Sequence, residues 1–330
     1  MSDQTSADGK AVTYSEFKEQ YEANTFRFFQ DIWIENTKQA KKRFGSFADF
    51  GVGKLHGLIP HKPAVIIGSG PSLTKNYAEL LRAKKQGITT ISCLHNYPYL
   101  LDRGIVCDYY VTIDALELVT NQISDGGKES RDYYIESTKD KKLIAATWTH
   151  PRVFEDWKGS FYLANIPQGH AYIDSTIQSI ESFNTNIATG GTVLGAAFYI
   201  AKMIMGANPI CFVGADFAFT PEGKYYGWDY DPSFEQAADA SRDHIDIYGK
   251  VARTTAGYFA MKYWFDKTCS EIPGLYINCT EGGILGSYEF GNLASIQQMP
   301  LKNFFRMYRA YQFTKKQCQD PATPDGKVRF

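Results

Sequence analysis

The chain has no apolar run near the roughly 20 residues a bilayer-spanning helix needs, and its first acidic residue, Asp3, comes before any signal-like stretch. No membrane span is therefore expected, and the chain is read as cytoplasmic. It also lacks a surplus of charge: 35 Lys and Arg stand against 36 Asp and Glu. That balance provides no whole-protein attraction to nucleic acid, and no nucleic-acid partner is expected. Metal-ligand spacing is missing too. The six cysteines, at positions 93, 107, 211, 269, 279 and 318, form no Cys-x-x-Cys pair, and several sit in apolar runs. They read as reduced core thiols rather than a disulfide framework or a zinc site. Two familiar phosphate loops are absent as well. In the turn that begins at Gly68, Leu73 stands where GxGxxG needs its third glycine, and no Gly-Lys-Ser/Thr closes a Walker A loop.

What is present is an ordinary globular composition, 44% hydrophobic and 22% charged, over a length that suits one enlarged α/β domain with appendages or two domains. The 15% aromatic content fits a sugar or nucleobase binder and a large core equally. Residues 1–11 are small and polar, and a disordered tail is expected. Residues 12–60 form a helical extension. Within 14–43, Phe17, Tyr21, Phe26, Phe29 and Ile32 recur at helical spacing, as one or two amphipathic helices packed on the body or on a partner. Residues 61–295 carry β-rich runs at 64–68, 89–93, 109–113, 143–147, 161–164, 210–214 and 275–279. Helical stretches such as 77–86 and 192–205 lie between them. Near-continuous apolar strands alternating with helices predict an α/β fold: a Rossmann-like, mainly parallel doubly wound sheet. The insertion at 220–244, with Tyr225, Tyr226, Trp228 and Tyr230, reads as a lid whose rings stack on a sugar or base, or as a cluster buried against the body or a neighbouring subunit. Residues 296–330 supply an amphipathic helix at 301–316, with Lys302, Arg306, Arg309, Lys315 and Lys316 on its polar positions, and a tail.

The residues after each run are the most informative. In a parallel sheet these loops share the carboxyl edge, where ligands bind. After the first run, Gly68 and Gly70 allow close backbone approach, and Pro71 fits a first helical position. Ser69, Ser72 and the amides of that helix start are expected to face an anion; otherwise the turn serves topology alone. Thr189, Gly190, Gly191 and Thr192 open a second helix, whose Gly195, Ala196 and Ala197 permit close packing on the sheet. Asp114 follows the third run as a ligand for a ribose hydroxyl or Mg²⁺, or as the N-cap of a capping box with Glu117. Asp216 and Glu281 follow the sixth and seventh. Tyr248, Lys250 and Arg253, with Tyr258 and Tyr263 nearby, are candidates to neutralise a departing phosphate.

The segments IIGSGPSL, DYYVTIDA, GGTVLGAA, ANPICFVGADFAF, YGKVARTT and YINCTEGG, in that order, resemble the MptE-like domain of bacterial motility accessory factors and archaeal 6-hydroxymethylpterin diphosphokinases. GSGPSL, CLHNYPYLLDRG and VGADF also resemble motifs of bacterial CMP-sialic-acid-dependent sialyltransferases. The resemblance implies a nucleotide donor at the carboxyl edge and, as the first expectation, transfer of a CMP-activated nonulosonic-type sugar to an acceptor glycan or protein. It implies Asn96 as a reader of the cytosine or ribose edge. It implies His244 as catalytic base, with His95 and His150 as rivals at strand ends. TIDA and INCTEGG look more like the motility accessory branch than the Asp-rich form of the pterin kinases. The alternatives are pyrophosphoryl transfer from Mg-ATP to a pterin-like alcohol, with Asp114 and Asp216 on the metal and Glu281 as a further ligand, and a non-catalytic nucleotide-binding module. Beyond the donor no cofactor is fixed; a homo-oligomer is allowed.

Overall fold

The computed structural model describes residues 4–5, 11–12, 14–220, 242–287 and 295–319. The strands in chain order are β1 (Ala64–Ile67), β2 (Thr89–Cys93), β3 (Tyr109–Thr112), β4 (Lys142–Ala146), β5 (Ser160–Ala164) and β6 (Ile210–Val213). They continue with β7 (Arg242–Ile245), β8 (Val251–Thr254), β9 (Tyr276–Asn278) and β10 (Ile296–Gln298). β7 and β8 form an antiparallel hairpin. The other eight make one parallel sheet in the order β10-β9-β6-β1-β2-β3-β4-β5. Seven of these strands coincide with the predicted runs to within a residue or two. β10 escaped the sequence reading because its three residues, Ile-Gln-Gln, carry one apolar side chain on an edge strand.

The helices are α1 (Tyr14–Phe44), α2 (Tyr77–Ala83), α3 (Tyr97–Leu101), α4 (Arg131–Ser137), α5 (Pro151–Asp156), α6 (Ala171–Ile180), α7 (Val193–Tyr199), α8 (Ala256–Glu271) and α9 (Leu301–Gln319). Strand residues alternate between two cores, one on each face of the sheet, as the period of two requires. Ile66, Val111, Ile144 and Phe212 join Ala196, Ala197 and Phe198 of α7. Val65, Ile67, Tyr110 and Ile277 join Leu80 of α2 and Phe304 and Phe305 of α9.

α1 is a single helix rather than a pair. It contributes Trp33 and Ile34 to the first core and Ala40 to the second, so it wraps the β5 end of the sheet. Beside it, Leu163 N donates to Phe50 O (2.7 Å), and Gly51 bridges Leu163, which covers the outer edge of β5. At the N-terminus, Gln4–Thr5 pairs with Ala11–Val12 where a disordered tail was expected. Cys93, Cys107, Cys211, Cys269 and Cys279 are buried free thiols, as read from the sequence. Among the described residues, no helix is long and apolar enough to cross a membrane. The aromatics at 225–230 and most of the expected lid lie outside the described residues.

Candidate functional site

Strand order reverses between β1 and β6, and their carboxyl ends are paired neighbours, with Ile67 opposite Val213. In an open parallel sheet this switch point opens a crevice. Gly68 N donates to Val213 O (2.8 Å) and Gly70 N to Gly214 O (2.9 Å), so the two turns run against each other as bare backbone. A Cβ on Gly68 would overlap the Gly214 carbonyl; Gly214 itself sits at φ +63°, a conformation that favours glycine.

Asp216, from the β6 turn, reaches into the β1 turn. Its carboxylate accepts the Ser72 N–H at 3.2 and 3.3 Å, and both residues are buried. Gly70 leaves room for that carboxylate, and Gly283 leaves room for the Asp216 backbone; a Cβ on either would overlap it. The helix start expected to hold a ligand anion therefore holds the protein's own carboxylate. This corrects the reading of Ser72: neither it nor Pro71 lines the cavity. Burial pushes the Asp216 carboxyl up to about 6, against the opposing pull of the Ser72 hydroxyl and amide and of Lys75.

A cavity opens in front of this knot. Gly68, Ser69 and Gly70 line it from β1, and Cys93, Leu94 and His95 from β2. Asp114 and Gln122 follow β3; Thr192, Val193 and Leu194 come from the α7 start; Gly214 to Ala218 and Tyr258 close the far wall. Of the residues proposed from the sequence, Gly68, Ser69, Gly70, Asp114, Thr192 and Asp216 thus meet at one place. Thr192 caps α7 by accepting the Gly195 N–H (2.7 Å), and the amides of Val193 and Leu194 stand at the helix start without partners in its own ladder. Thr189, Gly190 and Gly191 shape that turn from outside the cavity wall. Gly190 (φ +55°) packs on Trp264, and Thr189 Oγ1 accepts the Gly191 N–H at 3.2 Å. Phe217, at φ +50°, is a left-handed non-glycine residue on the cavity wall, and its ring meets Tyr258 at 6.3 Å. Such strain gathers at functional sites.

Asp114 is not a helix cap; that role falls to Leu116, the N-cap of the 3₁₀ segment Glu117–Ile123. Burial pushes its carboxyl up, while His95 and a hydrogen bond from Gln122 pull it down. His95 is largely buried, and its Nε2 lies 3.5 Å from Asp125 Oδ2. The hydrogen bond from His95 holds the Asp125 carboxyl below its ordinary value.

Asn96 is fully buried beneath the turn. Its Nδ2 donates to Ile67 O (3.3 Å), Gly68 O (3.1 Å) and Ser92 Oγ (3.1 Å). Its amide thus supports the glycine turn and does not reach a nucleobase, which corrects the role the resemblance implied. His244, Tyr248 and Lys250 lie on the β7–β8 hairpin and its turn, outside the cavity wall. The His244 ring packs on Phe259 at 5.4 Å, and Tyr248 is 60% exposed. The backbone amides of Tyr248 and Lys250 both donate to Asp246 Oδ1 (2.8 Å each). His150 caps α5 by accepting the Arg152 N–H. Glu281, at φ +60°, presents its carbonyl to Lys75 Nζ (2.6 Å) and is also off the wall. Sequence reasoning missed Gln122, which shows no signal inside a short 3₁₀ segment, and ranked His95 behind His244 although only His95 follows a central strand directly.

Among the described residues, no group of three or more His, Cys, Asp and Glu is placed to hold a metal ion. Asp114 and Asp216 both reach the cavity, but Asp216 is engaged by the Ser72 amide. Mg²⁺ is commonly held by one or two carboxylates together with substrate phosphates, and these two carboxyls are the pair the kinase alternative assigns to it. No lysine or arginine among the described residues lines the cavity.

A family model described as 6-hydroxymethylpterin diphosphokinase MptE-like matches residues 32–222, and the chain belongs to the MptE-like family. Among solved structures it resembles the MAf glycosyltransferase from Magnetospirillum magneticum AMB-1, with a TM-score of 0.59 at 15% identity. The match covers 83% of this chain and 39% of that one, so the chain spans well under half of that protein; the likeness is one of fold. No curated protein matches by sequence.

Proposed function

We propose that the chain is a glycosyltransferase whose donor is a CMP-activated nonulosonic-type sugar, bound in the cavity between the β1 and β6 turns. The observation that carries this is the charge of the wall: backbone amides, one histidine and two carboxyls, with neither lysine nor arginine among the described residues. A CMP-nonulosonate carries two separated single charges, on its phosphodiester and its sugar carboxylate. Mg-ATP gathers its charge on one polyphosphate, which phosphoryl-transfer sites meet with a lysine or arginine beside the metal-holding carboxylates. The fold shared with the MAf glycosyltransferase and the family membership support the transferase class. Tyr258 and Phe217 offer aromatic surface for the base or sugar.

In the reaction, an acceptor hydroxyl attacks the anomeric carbon, and the carbon–oxygen bond to phosphate breaks with its electron pair leaving on CMP. The acceptor proton passes to Asp114, whose burial makes it a stronger base than an exposed carboxylate. Replacing Asp114→Asn is expected to cost about 10²–10⁴ in transfer rate. It should leave the CMP response in place.

The direct test is thermal stabilisation by CMP, CDP, UDP, GDP, ATP and AMP, each with Mg²⁺ and with EDTA. A ligand at a hundredfold its dissociation constant stabilises by about 2.7 kcal/mol. A metal-independent response confined to cytidine nucleotides is expected. A response to ATP only with Mg²⁺ overturns the reading in favour of the pyrophosphoryl transfer that the family description carries, and silence across the panel overturns both.

A further inference from the structure

Any nucleotide donor is an anion, yet the cavity wall offers it two carboxyls and, among the described residues, no permanent cation. The β1 helix start cannot supply the missing charge, because Asp216 already occupies the Ser72 amide. Among the described residues on the wall, His95 is the side chain that can carry a positive charge. Its side chain is 14% exposed, and its Nε2 is tethered 3.5 Å from Asp125 Oδ2. Asp125 lies outside the cavity wall and keeps 60% of its side chain in solvent, so it remains a full anion beside the ring.

Resting on the proposed donor site, we infer that His95, as an imidazolium steered by Asp125, is the cationic contact for the phosphate of the bound ligand, so that anion binding takes up one proton at this residue. His95 is then a binding residue that also stabilises charge growing on the departing phosphate, and Asp125 is a positioning residue that acts through it. Among the described residues, Asp125 lies against His95 and Asp114 is close enough to feel its charge, while Gln122 and Asp216 share the cavity wall with it. Cys93 of β2 and Tyr97 of α3 keep their protons, both pushed up to about 12 by burial. Asp216, which titrates near 6, would weaken anion binding with the same sign as pH rises, so it must be separated from His95 by its own variant.

The experiment uses two probes whose charge is constant between pH 5.5 and 8.5: the methyl ester of CMP, a phosphodiester, and inorganic sulfate. Dissociation constants are measured by calorimetry on the full chain for the wild type, His95→Gln, Asp125→Asn and Asp216→Asn. Wild-type affinity is expected to fall about tenfold per pH unit above the histidine midpoint, as linkage to one proton demands. His95→Gln should bind about tenfold more weakly at pH 6 and keep only the shallower slope that Asp216 contributes. Asp125→Asn, at an exposed position that leaves the cavity intact, should move the profile to lower pH, and Asp216→Asn should keep it.

If the ester binds with the same pH dependence in His95→Gln as in the wild type, the inference fails while the cytidine reading stands. If sulfate shows the His95-dependent profile and the ester does not bind, the cytidine reading fails and His95 remains the anion contact. Failure of both probes to bind the wild type overturns both. Should His95→Gln not fold, the displaced profile of Asp125→Asn decides: an unmoved profile overturns the inference.

Discussion

At the scale of single residues, Asp216 is where the two site turns close. Its carboxyl is raised from an unfolded value of 3.8 to about 6, so the native state holds the proton more tightly than the unfolded chain does. Its contribution is therefore fully present below the unfolded value and is lost as pH rises through about 6. A rise from 3.8 to about 6 corresponds to about 3 kcal/mol. Asp216→Asn keeps an oxygen for the Ser72 N–H and has no proton to lose. The stability of the variant relative to the wild type should rise by about 2 kcal/mol between pH 4 and 7.5. Urea denaturation at the two pH values checks this, and parallel curves for the two proteins would refute it. The neighbouring glycines differ in kind. Gly283 sits at φ +70°, and a Cβ there would overlap backbone of Asp216, which cannot rotate away; at Gly282 the Cβ would overlap the Ser72 hydroxyl, a side-chain end that can turn, and otherwise make only ordinary contacts. Gly283→Ala is expected to cost about 3 kcal/mol and Gly282→Ala about 1 or less, measured the same way.

At the scale of elements, α1 reaches the site through Asn36. Asn36 is buried, and its Nδ2 donates to Ala115 O (2.9 Å) and Trp148 O (3.0 Å), the carbonyls just past β3 and β4. Asn36→Ala leaves both acceptors buried and unpaired, at a cost of about 1–3 kcal/mol. Because Ala115 adjoins Asp114, the variant should also transfer more slowly than the wild type while its thermal response to CMP is kept; an undiminished rate would mean that α1 does not position Asp114. The helix itself was legible, since Phe26, Phe29 and Ile32 announce it by spacing. The role of Asn36 was not, because its partners lie 79 and 112 residues away. The same division runs through the site. The glycines after β1 declared a turn of close approach, and the β-rich runs fixed which loops share an edge. What fills the turn is a carboxylate 144 residues distant, and no local pattern in GSGPS points to it. Asn96 and His95 are adjacent in sequence, and only the 3₁₀ turn at Leu94–Asn96 decides that the first is buried under the turn and the second lines the cavity.

At the scale of the whole molecule, two cores share one sheet, and α1 contributes to both of them. Trp33 and Ile34 pack among Trp148, Ile144 and Ile173 on one face, and Phe44 meets Phe154 and Phe161 on the other. Removing residues 1–45 would expose both faces at the β5 end at once. Loss of Trp33 alone corresponds to about 3–5 kcal/mol, against a total stability of about 5–15 kcal/mol for a typical domain. The helix is therefore part of the folding unit rather than an appendage, even though the family model begins within it at residue 32. A chain lacking residues 1–45 should lose its cooperative thermal transition and associate, because the apolar surfaces that Trp33, Ile34 and Phe44 cover at the β5 end are exposed. Circular dichroism melts and size-exclusion chromatography of the truncated chain make the check. A monomer that melts cooperatively near the wild-type temperature would show that the sheet stands without α1, and would make the tie from Asn36 to the Ala115 and Trp148 carbonyls dispensable for the fold.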